Sequence, residues 1–157
     1  MQSLTIEQRL VQLGLELPPP SPPGGTYVPS KRIGDLLFLS GQGPIRNGAP
    51  LIVGQVGGEV TLEEGIEAAR QATLNALAAI RSATGSLDRV EEIVQVRGFV
   101  NSAPGFFLQP QVMNGSSELL IAVFGERGRH ARCALGTSSL PRNIPVEIEM
   151  VVSLKRN

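Results

Sequence analysis

Apolar residues recur at helical spacing in two long segments of the chain. The clearer segment carries a predominantly apolar stripe at intervals of three and four residues, formed by Leu62, Ile66, Ala69, Thr73, Leu77 and Ile80. Thr61 and Glu64 have the spacing of a capping box, which predicts a helix that begins at residue 62, and Gly85 is suited to end it. A second helix is predicted over residues 109–124, where Gly115 lowers the helix propensity of the middle.

Shorter segments rich in β-branched and aromatic residues predict strands around these helices. Five strands are expected, over residues 27–33, 36–40, 90–101, 132–138 and 146–154. A turn at Gly34-Asp35 joins the first two, and the last two flank a turn over residues 140–143. The glycine-rich segment 43–60 is predicted to be mostly loop.

The order of two strands, a helix, a strand, a helix and two strands predicts an α+β fold with a mixed sheet and two helices on one face. Alternation in residues 90–101 predicts two apolar faces, with Val90, Val94, Val96 and Val100 on one and Ile93 and Phe99 on the other. The last strand also carries the apolar Val151 on the face that points away from its main apolar row. The uncovered face of the sheet is therefore expected to contact another subunit.

The first 25 residues differ in character from the rest. Four leucines between residues 4 and 15, interleaved with polar side chains, predict a short amphipathic helix. Residues 18–25 contain five prolines and two glycines, which exclude regular helix and sheet there. Since 157 residues suit a single domain, the predicted organisation is a helix and connector over residues 1–25 and one domain over residues 26–157.

Composition and charge narrow the function classes. The chain is 41% hydrophobic, and 14 basic residues balance 14 acidic ones. Lys31 and Lys155 are its two lysines, so a basic site would use the planar guanidinium of an arginine. The neutral charge does not favour a nucleic-acid partner. Neither a signal peptide nor an apolar stretch of about 20 residues is apparent, and the expected location is cytoplasmic, without membrane association.

The inventory of reactive side chains is small. One cysteine, Cys133, allows no internal disulfide, and together with the one histidine, His130, it cannot supply a zinc site of several such ligands. Their spacing of three puts them on opposite faces of one strand, which argues against a Cys-His dyad. The motifs of phosphate loops, dinucleotide-binding folds, zinc proteases and hydrolase elbows do not occur in the sequence. Neither a metal nor a cofactor is predicted.

Arg132 and Glu147 are more informative, because each is a charged residue within an apolar strand. The pattern leaves three arrangements open. The two side chains form a cross-strand ion pair, or both point into solvent, or Glu147 and Glu149 together face the guanidinium of Arg132.

Several separated blocks resemble one family. They are Tyr27, Ser40-Gly41-Gln42 followed by Pro44, His130-Ala131-Arg132, Leu140-Pro141 and Val146-Glu147-Ile148-Glu149. In order and spacing, over residues 26–154, they resemble the Rid family, also called the YjgF or L-PSP endoribonuclease family. The N-terminal helix is typical of a subgroup. The resemblance implies a chorismate-mutase-like fold and a homotrimer with a central barrel, with three clefts at the subunit boundaries.

The resemblance also implies roles for single residues. The arginine of the family's A-R block holds the substrate carboxylate, which assigns that role to Arg132, and two parallel N–H groups suit a carboxylate. The first glutamate of the V-E-I-E block, Glu147, is implied to orient or deprotonate the attacking water. Tyr27, Ser40 and Gly41 match residues that line the cleft.

One position departs from the family pattern. The archetypal deaminase has a cysteine two residues after the arginine, where this chain has Ala134. Cys133 is expected on the face opposite Arg132, so the role of the family's cysteine is not assigned to it. If the family's contribution at this position is a backbone carbonyl, Ala134 can still provide it. His130 shares the face of Arg132, and two roles stay open for it, one in the cleft and one structural or solvent-facing.

The implied reaction is hydrolysis of a 2-imino or 2-enamino acid, such as 2-aminoacrylate, to a 2-keto acid and ammonia, with no cofactor. These compounds hydrolyse unaided in water, so positioning and modest electrostatic help suffice. The alternative is a noncatalytic trimer that senses a small carboxylate through the same arginine. Endoribonuclease activity is the least favoured reading, because one tyrosine, five phenylalanines and no tryptophan offer few stacking surfaces for RNA.

Overall fold

A five-stranded mixed sheet carries two long helices on one face in the computed structural model, which describes residues 4–156. In chain order the elements are α1 (Ile6–Gln12), β1 (Ser30–Ile33), β2 (Leu36–Gln42), β3 (Ile45–Arg46), β4 (Ala49–Pro50), α2 (Leu62–Thr84), β5 (Val90–Asn101), α3 (Gln109–Phe124), β6 (Ala131–Thr137) and β7 (Val146–Leu154). Short 3-10 turns cover Leu87–Arg89, Gly125–Gly128 and Pro141–Asn143. The predicted α+β class, with helices on one face, is confirmed.

The sheet order is β1-β2-β7-β5-β6. β5 and β6 are parallel because α3 connects them as a crossover, and the other neighbours in this sheet are antiparallel. β6 therefore forms one edge of the sheet, and β5 separates it from β7. The hypothesis of a cross-strand ion pair between Arg132 and Glu147 is wrong, since their strands are not neighbours.

Local sequence signals account for the first long helix. The Thr61 hydroxyl accepts a hydrogen bond from the Glu64 N–H, and the Glu64 carboxylate accepts one from the Thr61 N–H. Gly85 ends the helix with φ of 83°, in the left-handed region that glycine adopts without steric cost. The predicted start and end of α2 are both confirmed.

α2 and α3 pack closely over the sheet. The Thr73 hydroxyl bonds the Ser116 hydroxyl across the helix pair at 2.6 Å, and both residues are fully buried. A Cβ atom at Gly115 would collide with the backbone carbonyl of Ile66. The glycine that weakens α3 by propensity is therefore required at this close approach of the two helices.

The alternation predicted for β5 is wrong at two residues. Val90, Ile93, Val96 and Val100 are buried, whereas Val94 is 40% exposed. The register with β7 shifts between Val90 and Glu92 and again between Ile93 and Gln95. These irregularities change which face a residue occupies, so strict alternation misplaces Ile93 and Val94.

The N-terminal helix packs on the same core. Of its side chains, Ile6 and Leu10 are buried. The Ile6 N–H donates to the Asp88 carboxylate at 2.7 Å, and the Arg9 Nε–H donates to the Ala122 carbonyl at 3.0 Å. These contacts hold α1 on the core, and residues 18–25 contain no helix or strand.

The face of the sheet away from α2 and α3, called the outer face below, keeps a row of apolar side chains. Phe38 is 41% exposed and Leu135 52% exposed, and Val151 is half-buried as the sequence predicted for the uncovered face. Within residues 4–156, no helix combines the length and the apolar character that crossing a membrane requires.

Candidate functional site

An open cleft of about 850 Å³ lies at the outer face, where β2 and β7 run side by side. Its walls come from distant parts of the chain, namely residues 21–24, the end of β2, the β3–β4 hairpin and the turn that precedes β7. Tyr27, Ser40, Gly41 and Glu147 all line this cleft. Four residues that the family resemblance assigned to one site therefore do lie together.

Glu147 projects into the cleft from β7. A side chain at Gly41 would occupy the position of the Glu147 carboxylate, so glycine at residue 41 is what allows the carboxylate to lie across β2. Among residues 4–156, no group donates a hydrogen bond to this carboxylate. Burial raises the pKa of Glu147, and the negative charge of Glu149 raises it further.

The two hydroxyl groups of the cleft are held by the backbone. The Tyr27 hydroxyl oxygen accepts a hydrogen bond from the Gly24 N–H at 3.0 Å, which leaves its own proton to be donated. The Ser40 hydroxyl donates to the Val28 carbonyl at 2.7 Å, which leaves its oxygen as an acceptor. The cleft thus offers one hydroxyl donor and one hydroxyl acceptor beside the carboxylate.

Buried amides of α2 fix the hairpin side of the cleft. The Asn75 amide donates to the carbonyls of Gly43 and Ile45 at 2.8 and 2.9 Å. The Gln71 amide donates to the Asn75 side chain and accepts from the Arg46 guanidinium at 2.7 Å. Sequence reasoning missed these residues, although polar side chains within a stretch of helical alanines were a usable signal.

The turn before β7 contributes Arg142, which sequence reasoning also missed. Arg142 and Asn143 have φ of 57° and 56°, and the Arg142 guanidinium donates to the Gly48 carbonyl at 3.1 Å. Asn101 at the end of β5 fixes the turn, because its buried side-chain amide donates to the Ile144 carbonyl at 3.2 Å. The sequence predicted the turn itself, but an arginine seldom adopts this left-handed conformation, so the pattern did not indicate that Arg142 lines the cleft.

Glu149 also lines the cleft and forms an ion pair with an arginine of β5. The Arg97 guanidinium lies 2.6 Å from the Glu149 carboxylate, directly across the β5–β7 pair. The hypothesis that Glu147 and Glu149 together face Arg132 is therefore wrong. Arg97 is the guanidinium that faces Glu149.

Arg132 lies on the other side of the sheet. It stands opposite the buried Val96 in the register of β5 and β6, on the face that the helices cover. Nη1 donates to the Asn114 side chain at 2.9 Å and to the Ser117 hydroxyl at 3.1 Å, and Nη2 donates to the Pro110 carbonyl at 3.4 Å. α3 therefore holds the guanidinium at the edge of the sheet.

Two donor groups of Arg132 stay free for a ligand. No acceptor for Nε–H and none for the second Nη2–H occurs among residues 4–156, and no carboxylate there pairs with Arg132. Nε and Nη2 form one edge of the guanidinium, which a carboxylate can bridge with two parallel hydrogen bonds.

The neighbours of Arg132 on β6 alternate as predicted. Ala134 shares the face of Arg132 and packs against the edge of the core. Cys133 stands opposite Arg97 on the outer face, as expected from its spacing, and is half-buried there. His130 precedes the strand and hydrogen-bonds the Ser117 hydroxyl, so it belongs to the surroundings of Arg132.

One chain thus carries two separate groups of site residues. The Glu147 cleft is on the outer face, and the Arg132 group, which includes Ala134 and His130, is on the helix-covered face at the β6 edge. In the part of the chain that the structure describes, no three histidine, cysteine or acidic side chains are placed to hold a metal ion.

Comparison with known proteins gives this architecture a family. A family model described as "YjgF/chorismate mutase-like, putative endoribonuclease" matches residues 7–153. The chain belongs to the YjgF/chorismate mutase-like family. Protein TCP17 of Trypanosoma cruzi is 41% identical over 150 residues, which are 95% of this chain and 94% of that protein. The Rid-family resemblance read from the sequence is confirmed.

Solved structures of this family share the fold. Atu1372 from Agrobacterium tumefaciens, a protein of unknown function, has a TM-score of 0.89 and 40% identity, covering 96% of this chain and 92% of that one. A Shewanella oneidensis protein described as "a putative endoribonuclease" has a TM-score of 0.93 and 38% identity, covering 96% and 100%. RidA from Psychrobacter sp. PAMC 21119, at 23% identity and a TM-score of 0.58 over 87% and 94%, shows the common fold alone.

Proposed function

We propose that this YjgF-family protein is a deaminase that hydrolyses reactive 2-imino or 2-enamino acids to 2-keto acids and ammonia. Its active site is a cleft between neighbouring subunits of a homotrimer. One subunit supplies the Glu147 cleft, and its neighbour supplies Arg132 from the edge strand β6.

The observation that carries this proposal is the separation of Arg132 from Glu147. The two side chains project from opposite faces of one sheet, so they cannot contact the same small molecule within one chain. β6 is an edge strand, and Phe38 and Leu135 leave apolar surface on the outer face for a second copy to cover. A symmetric assembly repeats such a contact around a ring and completes one cleft at each boundary.

In the proposed reaction the substrate carboxylate bridges Nε and Nη2 of Arg132. A water molecule beside Glu147 attacks the imine carbon, and the Glu147 carboxylate accepts one of its protons. The new C–O bond forms while the C=N electrons move to nitrogen. The proton then passes to that nitrogen and gives a carbinolamine. The hydroxyl proton of this intermediate moves to the amino group, the O–H electrons form the C=O bond as the C–N bond breaks, and ammonia leaves with the keto acid behind. A 2-enamino acid enters the same sequence after it tautomerises to the 2-imino acid, with a proton moved from nitrogen to carbon. No electrons are gained or lost overall, so the balanced reaction uses water alone.

The environment of Glu147 suits a general base. Its carboxylate lacks an internal donor, and burial raises its pKa, which makes it a stronger proton acceptor than an exposed glutamate. The Tyr27 O–H is free to donate a hydrogen bond to the substrate nitrogen or to the oxygen of the attacking water. Arg142 at the far wall adds positive charge to the same cleft.

An assay with substrate made in situ tests the proposal. An amino-acid oxidase or dehydratase generates the imine, and keto-acid formation is followed with and without the purified protein. Acceleration above the unaided rate is expected. A protein that accelerates no imine but binds pyruvate, a product-like keto acid, would instead be a sensor of small carboxylates.

Replacing Gly41 with alanine is expected to reduce imine hydrolysis at least about tenfold, because the new Cβ displaces the Glu147 carboxylate. Gly43→Ala is the matched control, since its Cβ meets the flexible end of the Ile144 side chain instead. Initial rates and melting temperatures of both variants provide the comparison. Equal activities in the two variants would contradict the placement of Glu147.

A further inference from the structure

A chain of hydrogen bonds runs from Arg132 through Ser117 to His130. Arg132 Nη1 donates to the Ser117 hydroxyl at 3.1 Å, and that hydroxyl lies 2.9 Å from His130 Nε2. The other ring nitrogen, Nδ1, lies 2.7 Å from the Gly128 carbonyl. The chain therefore ends on the backbone of the turn that precedes β6.

The direction of every bond in this chain follows from the groups at its two ends. The Gly128 carbonyl can only accept, so His130 Nδ1 carries a proton. In the neutral ring Nε2 is then the acceptor, and the Ser117 hydroxyl donates its proton to it. With its proton used in this way, the serine oxygen turns its lone pairs toward the guanidinium of Arg132.

The surroundings of the ring are consistent with the neutral form. Burial lowers the pKa of His130, and the positive charge of Arg132 lowers it further, while the bond to the Gly128 carbonyl acts in the opposite direction. A protonated ring would place a second cation beside Arg132 and would compete for the oxygen of Ser117.

The groups that hold the Arg132 guanidinium are uncharged. A carboxylate partner would hold Arg132 equally well, but it would cancel the charge that a substrate carboxylate needs. Asn114, Ser117 and the Pro110 carbonyl are neutral acceptors, and in residues 4–156 no acidic side chain forms an ion pair with Arg132. The guanidinium is oriented and keeps its full positive charge.

We infer that Ser117 and His130 are positioning residues, which hold the Arg132 guanidinium so that its Nε and Nη2 edge faces the carboxylate of the ligand. Ser117 acts directly on Nη1, and His130 acts through Ser117 by fixing the direction of the hydroxyl. The inference rests on the carboxylate-binding role of Arg132 in the proposed function. It makes carboxylate binding at that site depend on His130.

Binding of pyruvate by calorimetry measures this effect without any need for turnover. Ser117→Ala and His130→Phe are each expected to weaken pyruvate binding about fivefold to tenfold, the equivalent of one ordinary hydrogen bond. His130→Gln, whose amide oxygen can take the place of Nε2, is expected to restore most of the affinity. Ser82→Ala, an exposed serine of α2, is the matched control and leaves it unchanged.

The double variant Ser117→Ala/His130→Phe separates a positioning role from general damage. If His130 acts through Ser117, the double variant binds pyruvate no more weakly than Ser117→Ala alone. In the deaminase assay the same variants raise KM and change kcat little. Additive losses, or equal pyruvate affinity in His130→Phe and the unmodified protein, overturn the inference. Absence of any pyruvate binding by the unmodified protein overturns it as well.

The tautomer gives a direct spectroscopic readout, because His130 is the single histidine of the chain. A long-range ¹H–¹⁵N spectrum is expected to show Nδ1 protonated and Nε2 unprotonated at neutral pH. A protonated Nε2 would overturn the direction of the bonds. If the pyruvate results and the tautomer agree with the inference while no imine is hydrolysed, the proposed deaminase function fails and the positioning of Arg132 stands.

Discussion

Replacing Arg132 with alanine is expected to lower kcat/KM for imine hydrolysis about 100-fold or more. The substitution removes two charge-assisted hydrogen bonds to the substrate carboxylate, each of which contributes roughly 1.5–3 kcal/mol. Most of the loss is expected in KM, because the carboxylate is bound in the ground state and in the transition state alike. The measurement is initial-rate kinetics with the imine generated in situ.

Two further variants make this result specific. Arg132→Lys keeps the charge but loses the planar fork, so its activity is expected between those of the alanine variant and the unmodified protein. Arg129→Ala removes an exposed arginine that pairs with Glu126 three residues earlier, and it is expected to change kcat/KM less than about twofold. Comparable losses in Arg129→Ala and Arg132→Ala would indicate a general charge effect and contradict the assigned role.

Replacing Glu147 with glutamine is expected to lower kcat by about 10²–10⁴-fold, the usual contribution of a general base. Pyruvate binding should persist, because Arg132 holds the pyruvate carboxylate and the glutamine amide has the shape of the carboxylate it replaces. Rate assays and calorimetry on one preparation give both quantities. An unchanged kcat would remove Glu147 from the reaction.

The pH dependence follows from the ionisation of Glu147. Only the ionised carboxylate can accept a proton from water, so kcat is expected to fall as pH drops through the raised pKa of this group, above the ordinary value of 4.5. Glu149→Gln removes a charge that raises this pKa, and the acidic limb of the profile should move to lower pH. A shift in the opposite direction would contradict the electrostatic coupling of the two glutamates.

Folding stability supplies an independent check on Glu147. The folded protein holds the Glu147 proton to higher pH than the unfolded chain does, so ionisation costs stability as pH rises from 4.5 through the folded pKa. Glu147→Gln has no such cost. Its melting temperature is expected to exceed that of the unmodified protein at neutral pH, and the difference should vanish below pH 4.5.

The long helices were predictable because their signals are local. The capping box of Thr61 and Glu64 and the apolar stripe after it lie within one segment, and no distant contact alters them. The limits predicted for α3 were equally accurate. Propensity alone gave no reason for Gly115, whose role depends on how near α2 lies.

Strand order depends on contacts between distant segments, and there the sequence pattern misled. Two strands around the turn at residues 140–143 resemble a hairpin, which places Arg132 beside Glu147. The structure inserts β5 between them. The helix between β5 and β6 was the available signal, since a strand, a helix and a strand in succession usually form a parallel pair.

Some residues of the site could be assigned from the sequence, and others are brought there only by contacts between distant segments. Tyr27, Ser40, Gly41 and Glu147 were assigned from a family resemblance, and the structure gathers them in one cleft. Arg142 and the proline-rich wall reach that cleft only through folding of remote segments. Ser117 of α3 is hydrogen-bonded to Arg132 of β6 and to His130 just before that strand. No local spacing in the sequence indicates contacts between these two segments.

The central claim is that each active site combines Glu147 of one subunit with Arg132 of its neighbour. Co-expression of Arg132→Ala and Glu147→Gln chains in equal amounts tests it most directly. Each variant alone is expected to retain about 1% of the activity or less. Random assembly would place an intact Arg132 beside an intact Glu147 in about a quarter of the clefts.

The matched control is co-expression of the unmodified chain with the double variant Arg132→Ala/Glu147→Gln. Sites shared between subunits give about a quarter of full activity in this mixture, and sites within one chain give about half. The deciding measurement is the rate of imine hydrolysis by the mixed oligomer of the two single variants. Recovery to about a quarter of the unmodified rate is predicted, and no recovery would contradict an active site built from two subunits.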